Sequence, residues 1–154
     1  MKIQSSNLNK AVFNRCQVHE AHINQSDLTL SIWADSALND SILKDNDLMH
    51  ASFKDSDLSK CRVVAAKSDH AIFMQCKLEE TDFSDNAFSQ TTFFKVGLSR
   101  GVFENTGFEK VIFMECDCQQ LDFSRRHLVM CQFIDCNLQA SRFIESDITQ
   151  SNFK

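Results

Sequence analysis

Ser26-Asp27-Leu28-Thr29-Leu30-Ser31-Ile32-Trp33-Ala34-Asp35-Ser36-Ala37-Leu38-Asn39-Asp40-Ser41-Ile42-Leu43-Lys44-Asp45 reads as four units of five. Each unit opens on a small residue, Ser26, Ser31, Ser36 or Ser41. Each carries a large apolar residue two places later, at Leu28, Trp33, Leu38 and Leu43. The register extends both ways without a slip. Stepping by five from Ile3 to Phe153 meets 31 positions, and only Ser68 and Cys118 among them are not large and apolar. Thirteen of the fourteen Phe fall in this phase, which singles out Phe94 as the exception. Six of the seven Cys take the small slot instead: Cys16, Cys61, Cys76, Cys116, Cys131 and Cys136.

A period of five fits neither common element. On an α-helix, five residues overshoot a full turn by about 140°, so the apolar set scatters around the cylinder. On a strand, five is odd, so successive apolar residues land on opposite faces. A chain that turns a corner every five residues brings them together. Four corners close a square coil of twenty residues. The central apolar residue and the small residue two before it point inward, and the other three meet solvent. Coils then stack through short parallel strands, as in a β-solenoid.

Composition agrees with corners rather than loops. The 154 residues contain three Gly and no Pro, which leaves little material for linkers or a Gly-rich phosphate loop. The apolar runs are too short for a membrane span. A net charge of −5 argues against binding nucleic acid through its phosphates. Seven Cys with no hydrophobic leader point to a reducing, cytoplasmic setting.

The units Ser26-Asp27-Leu28-Thr29-Leu30, Asn46-Asp47-Leu48-Met49-His50, Ser56-Asp57-Leu58-Ser59-Lys60 and Thr81-Asp82-Phe83-Ser84-Asp85 resemble the pentapeptide-repeat family. The resemblance covers the whole chain. It implies an all-β fold, a right-handed quadrilateral β-helix, and residues 1–154 are expected to form one such solenoid with no separate cap. At about 4.8 Å per coil, the 7.7 coils make a rod roughly 37 Å long. Some members, the quinolone-resistance proteins, resemble duplex DNA and bind type II topoisomerases. Duplex DNA would carry roughly 22 charges over 37 Å, far more than this chain offers. A third reading makes the chain a solenoid element within a secretion or effector assembly.

Residues twenty apart share a column, so the sequence sorts into four faces, named here by their first central residue. The Phe13 face has only aromatic centres: Phe13, Trp33, Phe53, Phe73, Phe93, Phe113, Phe133 and Phe153. Beside them, at outward positions, stand Val12, Ile32, Ile72 and Ile112 in one column. Ala34, Met74, Phe94, Met114 and Ile134 stand in another. β-propensity explains outward Val and Ile. It does not explain Met74, Phe94 and Met114, so the stripe is read as a docking surface for a protein. The occupant is either a second copy, giving a homodimer, or a foreign protein whose identity the sequence does not name. The Val18 face carries Glu20, Asp40, Asp57, Glu79, Glu80 and Asp117 against Lys60, Lys77 and Arg100, a net −3. The Phe13 face is neutral and the other two are −1 each.

Chemistry finds less support. Cys116, Cys118, Cys131 and Cys136 gather near one end, but their spacing follows from the repeat. Packing as small hydrophobes is the simpler account, beside a metal site or a stacked disulfide. His50 and His70 share an outward column next to Asp69 and Ser68, but Ser68 points inward, which excludes a catalytic triad. Its hydroxyl marks a defect in the Ala66–His70 unit. Arg126 stands where a small inward residue belongs and is expected to reach solvent and widen the coil. No cofactor, metal, small-molecule substrate, membrane contact or enzymatic activity is expected. The repeats run from Met1 to Lys154, so open solenoid ends are also expected.

Overall fold

Every fifth residue from Ser5 to Gln150 has a left-handed backbone, with φ between 49° and 61°, and none of them is glycine. Left-handed geometry costs an L-residue roughly 1–2 kcal/mol. The positions carry Ser, Asp, Asn, Gln, Glu, Lys, Arg, His, Ala, Leu or Met, and never a β-branched residue, for which the strain is worst. These are the corners of the coil. The computed structural model describes residues 1–154, and in it each coil lies over the next with residue i facing residue i+20.

Backbone bonds between coils offset the corners. Along most of the rod the amide of the corner residue donates to a carbonyl nineteen residues ahead, as Lys60 does to Glu79 at 2.9 Å and Gln75 to Phe94 at 2.8 Å. One sheet runs the length of the Phe13 face: Val12–Asn14, Ile32–Ala34, Ser52–Lys54, Ile72–Met74, Thr92–Phe94, Ile112–Met114, Gln132–Ile134 and Asn152–Phe153, all parallel. The Ile3 face forms a sheet only early, from Lys2–Gln4, His22–Asn24 and Ile42–Lys44. The Leu8 face forms one only late, from Ala87–Ser89, Gly107–Glu109 and Leu128–Val129.

Elsewhere most units make a tight turn instead of a strand. In several of these turning units an Asp just before the centre accepts a hydrogen bond from the amide just after it. The pairs are Asp27–Thr29 (2.9 Å), Asp57–Ser59 (3.0 Å), Asp82–Ser84 (3.0 Å), Asp122–Ser124 (2.9 Å) and Asp147–Thr149 (3.0 Å). This Asx turn competes with the extended conformation. No extended unit has Asp at that place. Where it is present the Asp favours the turn, while units headed by Gln17, Ala37, Lys67, Lys77, Gly97, Val102 and Arg142 turn without it.

The small slot has its own task. Its side chain donates to the carbonyl of the central residue 23 positions back, on the preceding coil. Ser41 reaches Val18 at 3.0 Å, Thr81 reaches Leu58 at 2.8 Å and Thr106 reaches Phe83 at 2.8 Å. Cysteine does the same: Cys61 to Leu38 at 3.1 Å and Cys116 to Phe93 at 3.2 Å. Inside this frame the aromatic centres of the Phe13 face stack. Neighbouring centroids lie between 3.8 and 6.1 Å apart, with planes within 11° of parallel. In the second half, Phe83, Phe88 and Phe123 meet this column edge-on and close the core.

The switch between sheet patterns falls at Cys61–Asn86, and the defect expected at Ser68 lies within it. There the outward Val64 is buried, and the Ser68 hydroxyl is sealed in the core with no hydrogen-bond partner. A buried unsatisfied polar group costs about 1–3 kcal/mol. Ser68→Ala should therefore raise the unfolding free energy by about 1–2 kcal/mol, read from the denaturant midpoint. A lower midpoint would mean that the hydroxyl is held by a bond.

Candidate functional site

The outward apolar residues fall into two groups. Met74 pairs with Phe94, Phe94 with Met114, and Met114 with Ile134, so these four stand side by side on consecutive coils. Ile72 and Ile112 flank them across the strand, with Thr92 between. Val12, Ile32 and Ala34 form a separate block, cut off by Ser52 and Lys54. Exposure differs between columns. Val12 is 65% exposed and Ile32 and Ile72 are exposed too, while Ala34, Met74, Phe94, Ile112, Met114 and Ile134 are half-buried against one another. The Lys95 ammonium lies 5.1 Å from the centroid of the Phe94 ring while pairing with Glu115 at 3.2 Å. The central patch is thus a flat ridge of side chains with a charged rim.

The acidic face is less acidic than its composition. Asp57 pairs with Lys77 at 3.5 Å and Glu80 with Arg100 at 2.7 Å. Asp57 also accepts the turn bond from Ser59. Glu79 folds down over Gly97, where a Cβ would meet its carboxylate at 2.4 Å. Glu20, Asp40, Glu79 and Asp117 remain without a basic partner.

The thiols sit where the repeat puts small donors. Burial pushes Cys61 up to about 12 and Cys76 and Cys131 up to about 11, so these thiols stay protonated at neutral pH. The neighbouring Cys136 sulfur and burial push Cys116 and Cys118 up as well, and Cys116 and Cys136 donate to the Phe93 and Phe113 carbonyls at 3.2 and 3.3 Å. The rings of His50 and His70 stack at 4.8 Å on the surface, and Ser68 faces the core beneath, so the three do not converge.

The faces are not flat throughout: a polar groove of about 510 Å³ lies between Gln25 and Lys67, and another lies near the C-terminal end. On the late Ile3 face a groove of about 600 Å³ opens beside Arg126. The half-buried Arg126 side chain reaches this groove from the inward slot, as its length requires. The bond from the Arg126 amide to the Phe123 carbonyl is 3.2 Å, the same as those of Ala71 and Thr81 elsewhere on the rod, so the expected widening does not show in it. The groove itself needs residues 20 and 40 apart, a reach that a unit-by-unit reading does not take in.

The pentapeptide-repeat family model matches residues 116–154, in eight copies, and the same unit continues in register to the start of the chain. Solved structures agree. HetL, a pentapeptide-repeat protein involved in heterocyst differentiation regulation from the cyanobacterium Nostoc, is 14% identical over 97% of this chain and 87% of its own, with a TM-score of 0.51. The full-length plasmid-mediated fluoroquinolone resistance protein QnrB1 is 11% identical over 99% of this chain and 91% of its own, with a TM-score of 0.58. At such identities the likeness establishes the fold alone. The fold is that of the pentapeptide-repeat proteins, and residues 116–154 match the family model itself. Among curated proteins no sequence matches it.

The Asp residues of the turns make the fold acid-sensitive. Burial raises the Asp57 carboxyl, but the Ser59 hydroxyl and amide and Lys77 outweigh it and hold it below the ordinary 3.8. The Ser124 hydroxyl and amide, helped by Arg142, hold Asp122 below the same value. A carboxyl depressed in the folded state stabilises above its unfolded pKa and loses that contribution as pH falls through the folded one. The unfolding midpoint should be flat above pH 5 and fall below about pH 4. Asp122→Asn keeps the turn acceptor and removes the charge, so its midpoint should fall less steeply in acid. An equal slope would remove Asp122 from the account.

Proposed function

We propose that the protein acts without catalysis, as a protein-docking module whose contact surface is the Phe13 face and whose occupant is a second copy of the chain. The observation that carries this reading is the Met74, Phe94, Met114 and Ile134 ridge. No repeat rule asks for an apolar residue at those outward places, and Phe94 is the one Phe outside the core phase. Charge favours a like copy on this face over any other. The Phe13 face carries Arg15, Lys54, Lys95 and Lys154 against Asp35, Asp55, Glu115 and Asp135, and is neutral. The remaining faces are all negative, so two copies repel through them. An isologous contact puts each patch on its own image, with the Lys95–Glu115 pair at the rim.

The alternative, docking onto a type II topoisomerase in place of DNA, has the QnrB1 likeness in fold behind it and little else. Four unpaired carboxylates on the Val18 face stand against the roughly 22 charges of a duplex of that length.

Sedimentation equilibrium tests the proposal. The native chain should show twice the 17.6 kDa of one copy at micromolar concentration. Phe94→Asp should sediment as one copy while keeping the native circular dichroism spectrum. A native protein that stays monomeric at every concentration overturns the reading, and so does a Phe94→Asp variant that stays dimeric.

A further inference from the structure

Arg126 breaks the rule of its slot at a visible cost. The same column holds Ser6, Ser26, Asn46, Ala66, Asn86, Thr106 and Ser146, all small. On the adjacent coils Thr106 donates to Phe83 and Ser146 to Phe123, both at 2.8 Å. Arg126 makes no such bond to Phe103. Its Nε is buried with no hydrogen-bond partner, although its side chain lines the groove described above. A residue that discards a structural bond and strands a donor has no packing reason to be there.

The groove explains what the fold does not. Three arginines line it, and two are neutralised: Arg125 by Glu145 at 2.9 Å and Arg142 by Asp122 at 3.7 Å. Arg126 has no carboxylate at ion-pairing distance. With Glu145 counted, the three arginines face three acids, Glu104, Asp122 and Glu145, and Arg126 is the arginine that has no ion pair. Val102 and Ile144 expose aliphatic surface on the same groove, at 45% and 55%. One unpaired guanidinium beside aliphatic surface matches a single carboxylate attached to a branched aliphatic group.

We infer that the Arg126 groove is a binding site for such a carboxylate, borne by a small branched-chain acid or by the C-terminus of a partner polypeptide. The guanidinium takes the carboxylate, and Val102 and Ile144 take the aliphatic group. The site lies away from the Phe13 face and does not depend on self-association.

Titration of the full chain followed by NMR, with the arginine Nε–H signals as reporters, tests the inference. The probes are isobutyrate, N-acetyl-alanyl-valine with a free carboxylate, the two corresponding amides, and inorganic phosphate. Both carboxylates should shift the Arg126 signal saturably and the amides should not. The tighter of the two tells which source the site prefers. Arg126→Ser restores the small donor of the column, so it should raise the unfolding midpoint. It should also weaken carboxylate binding at least about tenfold, the order expected of a hydrogen bond to a charged group. Binding that survives Arg126→Ser overturns the inference, as does an Arg126 signal that no carboxylate moves. Phosphate that binds as tightly as the carboxylates overturns the assignment of ligand class.

Discussion

A left-handed backbone at every fifth residue is the constraint from which the rest follows. No single corner is favourable alone, because an L-residue resists that geometry. Along most of the rod each corner is offset by its own amide's bond to the next coil, as at Lys60 and Gln75, while Arg100, Asn105, Ala140, Glu145 and Gln150 keep the geometry without one. Corner and ladder thus support one another. Stability in such a molecule is a sum over adjacent coils. The stacked aromatics from Phe13 to Phe153 and the donors of the small slot set the spacing that the corners need.

Most of this was legible in the order of residues. The period fixed the coil, the inward phases and the columns, and residues placed twenty apart on paper do pair in the structure. The Asp that accompanies the turn in several units was also present in the sequence, but its link to the turn emerges only when the units are compared by face. Its physical basis is local: a side-chain acceptor two residues from an amide. What the sequence hid was three-dimensional. Nothing in the pentad around Phe94 says that Lys95 lies over its ring or that Met74 and Met114 half-bury it. Nothing around Arg126 says that Val102 and Ile144 line the same groove.

Departures from the repeat fall into two kinds. Met74, Phe94 and Met114 occupy places where the fold accepts any residue, so their apolarity costs folding little and is free to serve contact. Ser68 and Arg126 occupy places where the fold prescribes a side chain, and each leaves a polar atom stranded. Ser68 lies where one sheet pattern gives way to another, and it lines neither groove. Arg126 adjoins a groove in which it is the arginine without an ion pair, which is why it carries a functional reading and Ser68 a structural one.

The coupling of corner to ladder is tested most directly by amide hydrogen exchange at the corners. Lys60, Gln75 and Lys95 have exposed side chains, yet their amides donate to Glu79, Phe94 and Met114. The account predicts that these amides exchange as slowly as those of the buried Leu58 and Leu78. Exchange at the rate of an unstructured chain at these corners, with the central residues still protected, would contradict it.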